Sequence, residues 1–127
     1  NLPFPNASFD VYTIAFGLRN VTNKESALKE AFRVLKPGGR FYCLEFSKVN
    51  HPFFEKAYSL YSFNVIPRIG ALIAKDQAAY QYLVESIARF PSQEQLTTMI
   101  QEAGFASVSY QNLTHGIVAI HEGLKAR

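Results

Sequence analysis

Arg19 and Asn20 are the residues whose types and position best suit them to chemistry. They lie in the polar string Gly17-Leu18-Arg19-Asn20, directly after the apolar run Phe9 to Phe16. A guanidinium stays charged and pairs with anionic oxygens, and a carboxamide offers both a donor and an acceptor. Ligands of open α/β sheets bind outside the carboxyl ends of the strands, which is where this string would fall. Residue types alone leave a plainer alternative open, a solvated arginine beside an asparagine that only forms a turn. Glu45 poses the same question: it interrupts the apolar string Phe41 to Phe46, and because an unpaired buried carboxylate is costly, it either faces a cleft or has a partner.

Other chemistries find less support. His115 and His121 share parity along an extended chain, so both would face one side, yet no Cys or carboxylate cluster completes a metal shell at ligand spacing. A structural role and no metal are expected there. Cys43, the single cysteine, lies in Phe41-Tyr42-Cys43-Leu44 and reads as a small buried thiol in a reducing compartment. Pro37-Gly38-Gly39 follows a helical pattern and precedes a strand, the reverse of a dinucleotide loop, and no Gly-x-Ser-x-Gly elbow is present.

These residues need elements to place them. The nearly continuous apolar and β-branched run Phe9 to Phe16 predicts a parallel strand covered on both faces. Thr22 and Glu25 have capping-box spacing, and Leu28, Ala31, Phe32 and Leu35 then form one apolar stripe of a helix. Lys36 would sit at its negative end. Pro37 stops the helix, Gly38-Gly39 reverse the chain, and Arg40 to Phe46 is a second strand, completing a strand–helix–strand unit. Residues 50–90 carry eight aromatics and read as a helical insertion, with helices around 53–64 and 77–89. Ser92 and Gln95 form another capping box, followed by the stripe Leu96, Met99, Ile100 and Ala103 and by Gly104 as terminator. Strands Ala106 to Leu113 and Ile117 to Glu122, joined by Thr114-His115-Gly116, must pair antiparallel.

Composition sets the outer bounds. With 127 residues, 48% hydrophobic and 18% charged, the chain fits one globular domain and excludes collagen, disorder and tandem repeats. Thirteen Lys plus Arg against ten Asp plus Glu give +3, spread along the chain without a basic cluster beside stacking aromatics, so no nucleic-acid partner is expected. No apolar stretch approaches the ~18 residues of a membrane span. No leader pattern opens the chain, and a soluble protein is expected. Asn1-Leu2-Pro3-Phe4-Pro5 reads like the middle of a loop with no initiator Met, which suggests a fragment.

The motifs carry a resemblance. A strand beginning SFD, a helix ending RVLKPGG and a following strand resemble the second half of class I S-adenosylmethionine-dependent methyltransferases. The strings LPFPNASFD, FGLRNVT, RVLKPGGRFYCLEFSK, YSFNVIPRIG, YQYLVESI, FPSQEQ and NLTHGIVAIH together resemble the ubiquinone/menaquinone biosynthesis C-methyltransferases, from Leu2 to about Lys125. The resemblance implies an α/β, Rossmann-like fold: the carboxyl-terminal half of the methyltransferase domain, mostly parallel with an antiparallel final strand, plus a helical insertion. Its parts would be 1–49 strand–helix–strand, 50–90 a helical substrate lid, and 91–127 a helix and terminal hairpin. In that family the Gly-rich cofactor loop and the ribose-binding acid precede the LPF segment, so the amino-terminal half would be absent here.

The resemblance also implies a reaction, methyl transfer from S-adenosyl-L-methionine to a ring carbon of a polyprenyl benzoquinol. Arg19 would stabilise a phenolate-like oxygen or orient a water, and Asn20 would hold the substrate or that water. Ala15, Phe16 and Gly17 would border the cofactor, although the family often has Ser where Ala15 stands. Tyr58, Tyr61, Phe63 and Tyr80 would line the substrate channel. Implied partners are the quinol, a membrane surface touched peripherally and other ubiquinone-biosynthesis proteins; sheet edges left exposed by the missing strands would in addition invite a second copy of the chain. The implied location is the matrix face of the mitochondrial inner membrane, or a bacterial cytoplasm at the membrane. A non-catalytic quinone- or lipid-binding module, or a subunit of a biosynthetic complex, is the alternative.

Overall fold

The computed structural model describes residues 2–47, 77–113 and 116–127. The first apolar run forms β1 (Phe9–Ala15), followed by α1 (Lys24–Val34) and β2 (Leu35–Phe46). Strands β1 and β2 pair in parallel, with Ala15 opposite Leu44. Then come α2 (Gln77–Arg89), α3 (Gln93–Glu102), β3 (Ala106–Leu113) and β4 (Val118–Leu124). The sheet runs β1-β2-β4-β3, and β4 is antiparallel to both neighbours.

Alternation along β2 and β4 explains where the core sits. Phe41, Cys43 and Glu45 of β2 and Ala119 and His121 of β4 are buried, every second residue. Helix α1 packs on β2, and α3 packs on β3 and β4. Leu28, Ala31, Leu35, Phe41, Cys43, Leu96, Ile100 and Phe105 join in one cluster. Phe105 binds it together, stacked on Phe41 and edge-on to Phe32, each at 5.1 Å between centroids.

Several expectations change on contact with the structure. Helix α1 is capped by Asn23, whose side chain accepts from the Ser26 N–H at 3.0 Å, and not by a Thr22–Glu25 box. Asparagine ranks at least as high as threonine at this position, so the cap moved one residue along. The negative end of α1 is met by Lys125 rather than Lys36: Lys125 Nζ donates to the Phe32 and Leu35 carbonyls at 2.8 Å. Lys36 instead lies 3.8 Å from Asp10 on the surface. Strand β2 begins at Leu35, with the turn inside it; regular pairing resumes at Arg40. Gly38 has φ +86°, and a Cβ on Gly39 would stand 2.8 Å from the Lys36 carbonyl, so both turn positions need glycine. Strand β4 starts one residue later than expected and runs on to Leu124.

The largest correction concerns β1. Among the described residues it lies at the edge of the sheet, with Tyr12 and Ile14 packed on the core, while Phe9, Val11, Thr13 and Ala15 are exposed. Continuous apolarity reports burial only when both faces have neighbours, and among the described residues β1 has a helix layer on one. The expected helix at 53–64 lies outside the described residues; the one at 77–89 is α2.

Candidate functional site

Parallel pairing brings the carboxyl ends of β1 and β2 to one side of the sheet, and the candidate residues collect there. Past Ala15 the chain turns through Phe16, a non-glycine residue at φ +57°, whose N–H still donates to the Leu44 carbonyl at 2.8 Å. Such a conformation costs on the order of 1 kcal/mol and persists where surrounding contacts impose it. A single 3-10 turn, Leu18–Asn20, follows, and Leu18 is buried in the core. That anchor fixes where Arg19 and Asn20 leave the backbone.

Glu45 has the partner its burial demanded. It is 1% exposed, and its Oε1 accepts from Arg19 Nη1 at 3.0 Å and from the Phe46 N–H at 3.0 Å. Its Oε2 accepts from the Arg19 backbone N–H at 3.2 Å. One carboxylate therefore holds both the main chain and the guanidinium of Arg19. Arg19 Nη1 also donates to the Phe16 carbonyl, and the guanidinium lies 5.6 Å from the centroid of the Phe46 ring. The Phe16 and Phe46 rings meet at 4.9 Å, walling one side. Arg19 Nε and Ser47 Oγ are buried with no hydrogen-bond partner among the described residues. Asn20 is exposed, and its Oδ1 accepts from the Tyr82 hydroxyl of α2 at 3.2 Å.

The structure thus unites Arg19, Asn20 and Glu45 with the strand end formed by Ala15, Phe16 and Gly17. Ala15 and Phe16 are exposed and Gly17 is half-buried. Tyr58, Tyr61 and Phe63 lie outside the described residues, and Tyr80 is placed only as a position in α2. Sequence reasoning missed Tyr82 and Phe46 as site neighbours. Phe46 carried a signal as the residue after Glu45 on the strand end, whereas Tyr82 is 62 positions from Asn20 and nothing local marks it.

The remaining reactive types are structural. Cys43 is fully buried, and burial, aided by the Glu45 charge, pushes its thiol up to about 12, so it stays protonated and unreactive at neutral pH. His121 is 1% exposed, its Nε2 lies 3.0 Å from the Gln93 carbonyl, and Tyr110 stacks on its ring at 5.3 Å. Burial lowers its pKa from the usual histidine range. Its sequence partner, His115, lies outside the described residues, and among these no group of His, Cys, Asp and Glu is arranged to hold a metal. Two surface hollows, about 390 Å³ at Leu2, Phe4, Glu30 and Arg33 and about 140 Å³ at Glu25, Met99 and Glu102, share no residue with the site.

Comparison with known proteins gives this geometry a context. The model of the ubiE/COQ5 methyltransferase family matches residues 1–125. The chain is 65% identical to the mitochondrial 2-methoxy-6-polyprenyl-1,4-benzoquinol methylase of Xenopus laevis over 124 residues, 98% of this chain and 40% of that protein. Identity to the methylase of the same name is 64% in Homo sapiens, covering 98% and 38%, and 62% in Oryza sativa subsp. japonica, covering 98% and 42%. The chain therefore spans about 40% of the length of these curated relatives. Among solved structures, an S-adenosylmethionine-dependent methyltransferase from Thermotoga maritima superposes with TM-score 0.68 at 23% identity, over 98% of this chain and 60% of that one. Phosphoethanolamine N-methyltransferase 2 of Haemonchus contortus, solved with S-adenosyl-L-methionine, gives 0.63 at 12%, over 98% and 35%. At these identities the likeness is one of fold: the mixed sheet with its helices is part of a class I, Rossmann-like α/β domain.

Proposed function

This chain belongs to the ubiE/COQ5 methyltransferase family, and from that premise we propose that it is the quinol-facing part of an S-adenosyl-L-methionine-dependent C-methyltransferase of ubiquinone biosynthesis. Its substrate is a polyprenyl benzoquinol, methylated at a ring carbon. The observation that carries this reading is the Arg19–Glu45 pair at the joint carboxyl ends of β1 and β2, where an α/β sheet binds its ligands.

The residues at the end of β1 fit one flank of the cofactor. Ala15 and Phe16 are exposed there, and a Cβ built on Gly17 would rest in ordinary van der Waals contact with the Ile14 side chain at 3.4 Å, so the exposed surface of this strand end is the part free to meet a ligand. Residues 15–17 would hold that flank through backbone and small side chains. When bound, S-adenosyl-L-methionine supplies an electrophilic methyl group.

The chain's own residues supply position and charge. Arg19, clamped by Glu45 and the Phe16 carbonyl, presents a fixed positive charge to a ring oxygen that gains negative charge as the ring carbon reacts. Arg19 acts as stabiliser and not as base, because losing its proton would leave Glu45 buried without a counter-charge. Asn20 holds the same oxygen or the water that takes the ring proton. The aromatic segment with Tyr58, Tyr61, Phe63 and Tyr80 forms the lid and tail channel; its described helix, α2, meets the turn that carries Arg19 and Asn20, which supports this. Peripheral contact with a membrane follows from the lipid nature of the substrate. Association with other ubiquinone-biosynthesis proteins and the matrix face of the mitochondrial inner membrane are part of the same proposal, supported by relatives that carry "mitochondrial" in their names.

The test is calorimetric titration of S-adenosyl-L-methionine into this chain and into a version extended upstream, followed by turnover with a short-tailed benzoquinol. Binding by the longer protein alone, with methylation of the quinol, supports the reading. Binding by neither sinks it and favours a non-catalytic quinone- or lipid-binding module.

A further inference from the structure

We propose that Tyr82 is a positioning residue for Asn20, its hydroxyl holding the amide so that Nδ2 is presented as a donor to an anionic oxygen of the substrate. This rests on the methyltransferase reading. The Tyr82 hydroxyl donates to Asn20 Oδ1 at 3.2 Å, across 62 residues of sequence, from α2 to the turn Leu18–Asn20. A carboxamide can present either of two ends, and an oxygen gaining negative charge needs a donor. Occupying Oδ1 with the phenol hydroxyl leaves the NH₂ end as the one available. Glu45 does the equivalent for Arg19 by taking Nη1. The two pairs together make neighbouring side chains of one turn a donor set.

Burial argues that Tyr82 is there for this bond and not for packing. Its side chain belongs to a residue 52% exposed, whereas Val84, Ser86 and Phe90 carry the buried side of the segment. Asn20 is exposed as well, so water competes with the bond in the free protein. A ring bound over the turn would exclude that water and strengthen it. Tyr82 thereby couples the helix beside the substrate to the orientation of a reacting side chain.

The experiment is a double-mutant cycle in the full-length enzyme, assayed with S-adenosyl-L-methionine and a short-tailed benzoquinol. Tyr82→Phe is expected to lower kcat about tenfold, less than the ~100-fold that a full 1 Å misplacement can cost because the amide is loosened and not displaced, with the cofactor KM unchanged. Combined with Asn20→Ala it is expected to cost nothing beyond Asn20→Ala alone. An unchanged kcat in Tyr82→Phe, or losses that multiply, would overturn the proposal. If the wild type methylates no benzoquinol, the methyltransferase reading fails by itself. The Tyr82 bond is then judged by the Asn20 side-chain amide signal in NMR, which Tyr82→Phe must shift; an unmoved signal rejects it.

Discussion

Glu45→Gln removes the charge opposite Arg19 while keeping the shape of the side chain, and the cost follows from burial. Glu45 is 1% exposed and the Arg19 side chain 13%, so solvent screens this pair far less than a surface bridge. Leaving the guanidinium with a neutral partner should lower stability by about 2–4 kcal/mol, less than the full loss of a buried partner because the amide oxygen still accepts. Urea unfolding checks this; a change below about 1 kcal/mol would mean that water reaches the pair. His121 gives a second reading at this scale. Burial depresses its folded pKa below the unfolded value, so between the two the unfolded state binds more protons. Its contribution is fully present above about pH 6.5 and is lost as pH falls toward the folded pKa. The groups nearest it are Cys43 across β2, the stacked Tyr110, and Glu94, whose charge opposes the shift. Stability measured from pH 7.5 down to 5.5 should therefore decline in the wild type and decline less in His121→Gln; equal slopes would remove His121 from the account. Glu45 was legible in the sequence because a charge inside an apolar string must find a partner, and Arg19 because it follows the carboxyl end of a predicted parallel strand. The bond from Asn20 to Tyr82 was not, since no local pattern spans 62 residues.

Among elements, α3 shows what a local signal can specify. Ser92 accepts from the Gln95 N–H while the Gln95 side chain accepts from the Ser92 N–H, the reciprocal arrangement that the spacing announced. Ser92→Ala should cost about 1 kcal/mol, visible as a lower unfolding midpoint, and a loss under about 0.3 kcal/mol would show that water replaces the cap. The apolar stripe of α3 was equally readable, with Leu96 and Ile100 buried to 1% or less. Helix α1 marks the limit of such reading. Thr22, Asn23 and Glu25 stand close enough for competing caps, and backbone geometry chose Asn23. Its far end depends on Lys125, 90 residues beyond Leu35, an arrangement that only the antiparallel return of β4 creates. Periodicity gives an element its buried face, while its ends are settled by whatever the fold brings alongside.

At the scale of the molecule, the two edges of the sheet formed by the described residues are guarded unequally, and this leads to a prediction about self-association of the chain. Strand β3 carries Ser107, Ser109, Gln111 and Asn112, and its pairing is interrupted between Ala106 and Ser109, where Ser107 adopts φ +51°. Tyr110 and Leu113 are exposed on this strand too, yet its bulge and its run of polar residues make it a poor partner for another strand. Strand β1 is less protected, with Asp10 as its single charge: Phe9 is 37% and Val11 53% exposed, Phe16 follows at 37%, and among the described residues no strand lies on its outer side. The extra residues in its pairing with β2 belong to the β2 turn, so the free edge of β1 stays regular. An exposed, regular, apolar edge is a template for a second strand, and two copies joined through β1 would extend the sheet about a two-fold axis. This 127-residue chain should therefore run as a dimer or larger assembly in light scattering. Val11→Lys, which places a charge on that edge without touching the core, should shift it toward monomer with little change in helix content. A monodisperse wild-type monomer would refute β1 as an adhesive edge; a dimer that survives Val11→Lys would move the contact to another surface.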